Sequence, residues 1–187
     1  MKLFVNACVR EESRTRRLAD CLLSGSKEPF EEVLLSEIRF PIADEAFLKR
    51  RDELLLKRRF DDPMFSLARQ FALAEEILIA APFWDLSFPA ALKQYFEQIN
   101  VLGVTFVYTP EGTPRGLCRA KRLTYVTTAG GTFFPEEYGA GYVKALARNF
   151  YGIPEFRLVK AVGLDLDGAD AEAILASAME KARREET

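Results

Sequence analysis

Short apolar runs alternate along the chain with longer segments in which apolar residues recur every three or four positions. The short runs predict buried strands, and the three-to-four spacing predicts helices that pack against them. Because nearly all-apolar strands that alternate with helices imply a parallel sheet covered on both faces, the pattern predicts an α/β fold. The five predicted strands occupy residues 2–8, 32–35, 77–81, 123–127 and 158–164.

Sequence signals at helix starts support this alternation. The first predicted helix opens near Ser13, whose hydroxyl can cap the first N–H groups. In the long segment between the second and third strands, Asp62 and Pro63 have the form of an N-cap followed by a first-turn proline. The other predicted helical segments are residues 44–60, 88–99 and 170–184.

Length and charge narrow the class of protein. The chain has 187 residues, which suits a single domain over 1–187 better than two. Its 26 basic and 28 acidic residues nearly cancel, so the overall charge attracts neither nucleic acid nor an anionic membrane. No apolar run approaches the roughly 20 residues of a membrane span, and a strand pattern begins at Lys2. We therefore expect a cytoplasmic protein with no nucleic-acid or membrane partner.

The residue types present exclude some kinds of chemistry. The chain contains no histidine, which rules out Ser-His-Asp and Cys-His catalysis and disfavours a transition-metal centre. Its three cysteines, Cys8, Cys21 and Cys118, have no paired metal-ligand spacing. Buried thiols are therefore expected rather than disulfides, and no metal site is predicted.

The loop after the first predicted strand is a candidate anion site. In doubly wound sheets, ligands bind beyond the carboxyl ends of the strands, which directs attention to the loops after strands one, three and four. In the first of these loops, Arg10, Ser13, Arg14 and Thr15 combine guanidinium and hydroxyl donors with a helix N-terminus. Backbone N–H groups and such side chains are the donors that a phosphate needs.

Arginine side chains in the first turn of a helix are unusual. They oppose the helix dipole, so we expect an anion to compensate Arg14, Arg16 and Arg17. That anion is either a bound ligand or a nearby carboxylate such as Glu11 or Glu12. The serine of this loop is equally compatible with a routine N-cap on a solvated surface.

The loops after the third and fourth predicted strands suit a planar ligand. The loop after the third strand has a flat aromatic pair with one acceptor side chain, although such pairs also occur in protein cores. The fourth holds a glycine pair, which permits either close backbone approach to a ligand or an ordinary turn. The candidate residues are Pro82, Phe83, Trp84, Asp85, Leu86, Thr128, Ala129, Gly130 and Gly131.

The run "IAAPFWDLSFPAALKQYFEQINVLGVTFVYTPEGTPRGL", residues 79–117, resembles FMN-dependent NAD(P)H azoreductases and quinone reductases of the flavodoxin-like fold. Residues 13–15 resemble the Ser-x-Ser phosphate motif of that family. Residues 83–86 resemble its Met-Tyr-Asn-Phe flavin loop, and residues 128–131 its Ser-Arg-Gly-Gly loop. The similarity covers nearly the whole chain, and it implies a five-stranded parallel sheet in the order 2-1-3-4-5 with helices on both faces.

The resemblance also implies an activity. It implies a homodimer with FMN at the interface, reduced by NADH or NADPH and reoxidised by a quinone or azo compound in the same pocket. The phosphate would lie on residues 13–15, and residues 83–86 would flank the isoalloxazine. Because the flavin carries the chemistry, no catalytic residue of the protein is expected. Tyr108 and Phe133 would contact the substrate, although they could equally pack in the core or at the dimer interface, together with Phe106 and Phe134.

Two other functions are found on flavodoxin-like folds. A flavodoxin-type electron carrier also binds FMN but meets protein partners, and its usual strongly acidic surface contrasts with a net charge of −2. A response-regulator receiver domain needs acidic residues at the end of its first strand, where this chain has Asn6, Ala7 and Cys8. The electron carrier is therefore the principal alternative.

Overall fold

A five-stranded parallel sheet and a separate two-stranded hairpin form the β-structure of residues 1–185, the part of the chain that this computed structural model describes. The sheet has the order β2-β1-β3-β6-β7, and β4 pairs with β5 in the hairpin. The predicted order of the five sheet strands is confirmed. In chain order the strands are β1 (Lys2–Asn6), β2 (Phe30–Leu34), β3 (Glu76–Ala80), β4 (Phe106–Tyr108), β5 (Pro114–Gly116), β6 (Arg122–Thr128) and β7 (Glu155–Ala161).

The helices begin where side chains can cap their first turns. The Ser13 hydroxyl accepts a hydrogen bond from the Arg16 N–H at 3.2 Å, as the sequence predicted. Asp62 caps a short 3₁₀ turn, Pro63–Phe65, that leads into the third α-helix. The α-helices are α1 (Arg14–Leu23), α2 (Glu45–Leu56), α3 (Ser66–Leu73), α4 (Ala90–Ile99), α5 (Ala140–Ala145) and α6 (Ala171–Arg184). None of these described helices is long and apolar enough to cross a membrane.

Alternation of side chains along the strands divides the core into two layers. Leu3 and Val5 of β1 join a cluster with residues of α3, α4 and α5, whereas Phe4 joins a second cluster with residues of α1 and α6. Successive side chains of a strand point to opposite faces, so each central strand contributes to both layers. The sheet is therefore covered by helices on both faces, as predicted.

Several element boundaries differ from the sequence prediction. The predicted last strand began at residue 158, but β7 begins at Glu155, which pairs with Arg122. Edge strands keep polar, exposed residues in the ladder, so an apolar run marks only their buried part. The β4–β5 hairpin, α5 and the π-helical turn Leu146–Tyr151 that follows α5 were missed altogether.

The three central strands end at the same edge of the sheet, where β6 extends two residues further than its neighbours. Asn6, Ala80 and Val126 lie side by side in the register of β1, β3 and β6. The pairing with β6 continues beyond the end of β3, because the Phe83 N–H donates to the carbonyl of Thr128 at 3.0 Å. The loops that follow these strands therefore converge at one edge of the sheet.

Candidate functional site

A cavity lies at this edge of the sheet, where four loops meet. Three of its walls come from the loops that follow β1, β3 and β6, and the fourth comes from the loop that follows β7. Val9 and Asp165 contribute to the lining although the sequence analysis did not name them, and so does Glu12, which it named only as a possible partner of the arginines. Ten of the thirteen predicted cofactor-binding residues also line it: Arg10, Ser13, Arg14, Thr15, Pro82, Phe83, Trp84, Thr128, Ala129 and Gly130.

The N-terminus of α1 brings hydrogen-bond donors to the cavity. The N–H groups of Arg14 and Thr15 belong to the first turn, so the helix itself provides no acceptor for them. The Thr15 hydroxyl lies 2.6 Å from the hydroxyl of Thr128, which ties α1 to the end of β6. Both hydroxyls are buried, as is that of Ser13, and this wall of the cavity therefore suits an anionic group.

Carboxylates of α1 itself and of distant parts of the chain pair with the first-turn arginines of α1. Glu11 and Glu12, the carboxylates considered from the sequence, do not form the ion pairs given below, although Glu12 adds to the effect of Glu172 in raising the pKa of Arg17. Because the partners come from α1 itself, from β2, from the loop after β7 and from α6, folding alone balances these charges without a ligand. The ion pairs are Arg14 with Asp165 at 2.7 Å, Arg16 with Asp20 at 2.7 Å and with Glu32 at 2.6 Å, and Arg17 with Glu172 at 2.6 Å.

A tight turn presents the aromatic wall of the cavity. The backbones of Trp84 and Ser87 pair in both directions, at 3.1 and 2.7 Å. The two residues at the tip, Asp85 and Leu86, have φ values of 50° and 67° in the left-handed region. Trp84 is 39% exposed, and the Phe83 ring packs on Phe134 with 4.5 Å between ring centroids. The turn therefore holds an indole ring at the cavity while part of it faces solvent.

The backbone strain of this turn should be measurable. A β-carbon costs about 1–2 kcal/mol in the left-handed region, whereas glycine loses about 0.5–1 kcal/mol more entropy on folding. Leu86→Gly is therefore expected to raise the free energy of unfolding by about 0.5–1 kcal/mol, measured by urea denaturation. Leu166→Gly is the control, because Leu166 is similarly exposed, at 48% against 43%, without a left-handed φ. A loss of stability in both variants would show that the turn stores no strain.

The remaining predicted residues lie outside the cavity lining. Asp85 and Leu86 form the exposed tip of the turn. Gly131 follows the lining residue Gly130, and its carbonyl accepts from the Gly163 N–H at 2.9 Å. The two predicted substrate residues are both exposed, Tyr108 at 54% and Phe133 at 75%.

The aromatic residues considered as a lid divide into two kinds. Phe106 is 6% exposed and packs against Phe150 with 4.8 Å between centroids, so it is a core residue of the hairpin. The Phe134 ring packs on Phe83, and the Nζ of Lys160 lies 4.9 Å from the centroid of the Phe134 ring. Only exposed rings such as Phe133 and Tyr108 are free to meet a ligand or a second chain.

Burial keeps two of the cysteine thiols protonated. Burial raises the pKa of the Cys8 thiol to about 11, so this side chain stays protonated near neutral pH and is a poor nucleophile. Burial also raises the pKa of Cys118 to about 12. Across residues 1–185, no group of three or more histidine, cysteine, aspartate or glutamate side chains is placed to hold a metal ion. The cavity is therefore equipped to bind and orient a ligand.

Asp165 is the lining residue that sequence reasoning should have found. It lies in the acidic run "GLDLDGAD" directly after the last strand of the sheet. The carboxyl end of that strand points to the same edge as the others, so its loop belonged with the candidates. The predicted site included only the loops after the first, third and fourth strands of the sheet, and it therefore lacked Asp165.

Comparison with known families agrees with this geometry. A family model described as the flavodoxin-like fold matches residues 2–185. The chain belongs to this family. The resemblance stated from the sequence is thereby confirmed, as is the flavodoxin-like architecture of the sheet.

Curated relatives in the flavodoxin-like family carry consistent names. A protein of Lachnoclostridium phytofermentans named FMN-dependent NADH:quinone oxidoreductase is 34% identical over 96% of this chain and 94% of its own length. A protein of Clostridium acetobutylicum named FMN-dependent NADH:quinone oxidoreductase 2 is 42% identical, over 67% of this chain and 64% of its own length.

Solved structures support the same fold. The azoreductase AzrA superposes with a TM-score of 0.83 at 25% identity, covering 98% of this chain and 97% of that one. An azoreductase of Bacillus anthracis superposes with a TM-score of 0.84 at 24% identity, covering 98% and 96%. The flavodoxin-like fold of this chain is therefore matched over nearly its whole length.

Proposed function

We propose that this chain is an FMN-dependent oxidoreductase that oxidises NADH and reduces a quinone or an azo compound. The observation that carries the proposal is the meeting, in one cavity, of the donor-rich N-terminus of α1 with the aromatic wall at Trp84. The names of the curated relatives, which specify FMN, NADH and quinone, support the same activity. The name azoreductase of the structural neighbour AzrA supports azo compounds as further acceptors.

The residues of the cavity fit FMN. Its phosphate would bind at residues 13–15, where hydroxyl groups and first-turn N–H groups are available. The isoalloxazine would lie against Pro82, Phe83 and Trp84, because a planar apolar ring matches an aromatic wall. The absence of a β-carbon at Gly130 makes room for the Asp165 carboxylate, which would lie 2.2 Å from such an atom.

The protein's contribution to the reaction is binding and orientation. Bound FMN would supply the redox chemistry, in which NADH gives up a hydride and the quinone gains two electrons and two protons to leave as hydroquinone. The partly exposed Trp84 and Val9 leave the cavity accessible to NADH and to the acceptor. Because both substrates would use the same face in turn, ping-pong kinetics are expected.

A second copy of the chain would complete the pocket. Exposed apolar side chains lie on the two loops beside the cavity, including Leu86 at 43%, Phe133 at 75% and Tyr138 at 60%. Such a patch favours a protein interface over permanent exposure to water. We therefore propose a homodimer in which Phe133 and Tyr108 lie near the substrate.

A flavin titration followed by turnover tests the proposal. The flavin-free protein is titrated with FMN while flavin fluorescence is recorded, and saturable binding of one FMN per chain is expected. The loaded protein is then assayed with NADH or NADPH and menadione at several concentrations of each. Parallel lines in double-reciprocal plots would support ping-pong kinetics. Absence of FMN binding would overturn the proposed function while leaving the fold in place.

An electron carrier of the flavodoxin type is the alternative function. It would bind FMN equally well but would show negligible turnover with NADH and menadione. The small net charge of −2 argues against such a carrier, which uses a strongly acidic surface to meet its protein partners. The turnover assay therefore separates the two functions directly.

A further inference from the structure

We propose that Asp165 limits the affinity of the cavity for the phosphate of FMN, because its carboxylate already occupies the guanidinium of Arg14. The inference rests on the proposed function and adds a residue that sets how strongly the site distinguishes FMN from riboflavin. The phosphate would have to displace Asp165, whereas riboflavin, which has no phosphate, would not.

Arg14 is held in place by the loop after β7. Its Nη2 donates to Oδ1 of Asp165 at 2.7 Å, and its Nη1 donates to the carbonyl of Leu164 at 3.1 Å. The two contacts differ in kind, because the carbonyl orients the guanidinium while the carboxylate neutralises its charge. Loss of the carboxylate alone would therefore leave Arg14 oriented and its charge available.

The carboxylate of Asp165 lies against the wall of the cavity. Its backbone N–H donates to the carbonyl of Gly130 at 2.9 Å, which fixes the main chain beside that residue. A β-carbon at Gly130 would lie only 2.2 Å from Oδ2 of Asp165, so the carboxylate fits because this position is glycine. The ion pair therefore lies within the proposed phosphate end of the cavity, which both partners line.

The charges of the lining side chains balance. Arg10 and Arg14 are the cationic residues that line the cavity, and Glu12 and Asp165 are the anionic ones. A phosphate monoester adds roughly 1.5 to 2 negative charges at neutral pH. It therefore enters a site whose side chains supply no net positive charge, and removal of one carboxylate charge would change that balance in its favour.

The pair is exposed enough to exchange partners. The side chains of Arg14 and Asp165 are 31% and 63% exposed, so water screens their attraction and the carboxylate can move away. A phosphate has more charge and more acceptor oxygens, and it can take the place of Asp165 on the guanidinium. The free energy needed to displace Asp165 would therefore lower the affinity of the cavity for FMN.

Matched amide substitutions test the inference. FMN and riboflavin are titrated separately into the flavin-free wild-type protein, Asp165→Asn and Asp167→Asn, with flavin fluorescence as the readout. Asp165→Asn is expected to tighten FMN binding about three- to tenfold, the effect of one screened charge at a few ångströms, and to leave riboflavin binding unchanged. Asp167→Asn removes the same charge from the same exposed loop outside the cavity, and it should leave the ratio of the two affinities unchanged.

The other outcomes are distinguishable. If the wild-type protein binds neither flavin, the proposed function fails and this inference fails with it. If FMN binds but Asp165→Asn leaves the ratio of FMN affinity to riboflavin affinity unchanged or lowers it, only the inference is overturned. A lowered ratio would show that Asp165 orients Arg14 for the phosphate. Asp165→Ser, which removes the charge with a smaller side chain, gives an independent second variant.

Discussion

Trp84→Ala is expected to weaken FMN binding by about 30-fold. Trp84 lines the cavity and is 39% exposed, so its ring is available to stack on the isoalloxazine. Stacking of a flat heterocycle on an aromatic side chain contributes about 1–3 kcal/mol, and a loss of about 2 kcal/mol corresponds to this factor. Because Trp84 is the only tryptophan of the chain, the dissociation constant should be followed through flavin fluorescence.

Two further variants serve as controls for the loss of affinity in Trp84→Ala. Trp84→Phe keeps an aromatic ring in the wall and is expected to recover most of the affinity. Leu56→Ala removes an apolar side chain of α2 that is 86% exposed and lies outside the lining, and it should leave FMN affinity within about twofold of the wild type. Equal affinity of Trp84→Ala and the wild type would move the flavin ring to another wall of the cavity.

The placement of the site could be predicted from the sequence because of one geometrical rule. Carboxyl ends of parallel strands share an edge of the sheet, so residues that directly follow a buried strand are brought together. Ser13, Trp84 and Gly130 each follow such a strand at a short distance, and they line one cavity. Local signals were also sufficient for the caps at Ser13 and Asp62, because a cap involves residues only two or three positions apart.

Contacts between distant segments were beyond the sequence. Arg14 and Asp165 are separated by 151 positions, and no local pattern distinguishes this pairing from one with the adjacent Glu12. The turn at Asp85 and Leu86 was equally hidden, because non-glycine residues rarely adopt its left-handed backbone. The location of the candidate site was therefore predictable, whereas its full extent and its internal charge balance were not.

The β4–β5 hairpin and the π-helical turn after α5, both missed from the sequence, pack against each other. Strand β5 packs against the π-helical turn with almost no space between the two backbones, since a β-carbon on Gly116 would lie 2.0 Å from the carbonyl carbon of Tyr151. The Cys118 N–H donates to the Tyr151 carbonyl at 3.3 Å, and Phe106 packs on Phe150. The three-residue strands are too short to show an alternating pattern, whereas the buried residues of α5 and the turn after it, at positions 140, 143, 146, 147 and 151, have a helical spacing that the sequence prediction overlooked.

Gly116→Ala is consequently expected to lower the free energy of unfolding by about 3 kcal/mol, measured by urea denaturation. The added methyl group would meet main-chain atoms of Tyr151 and Gly152, which cannot move aside as a flexible side chain can. Gly131→Ala is the control, because the nearest atom to its β-carbon would lie at 4.0 Å and its φ is not left-handed, so a change within about 0.5 kcal/mol is expected. A Gly116→Ala protein as stable as the wild type would mean that this contact does not anchor the hairpin. Because Tyr108 lies on the same hairpin, that result would also mean that Tyr108 is not held in a fixed position to contact a substrate.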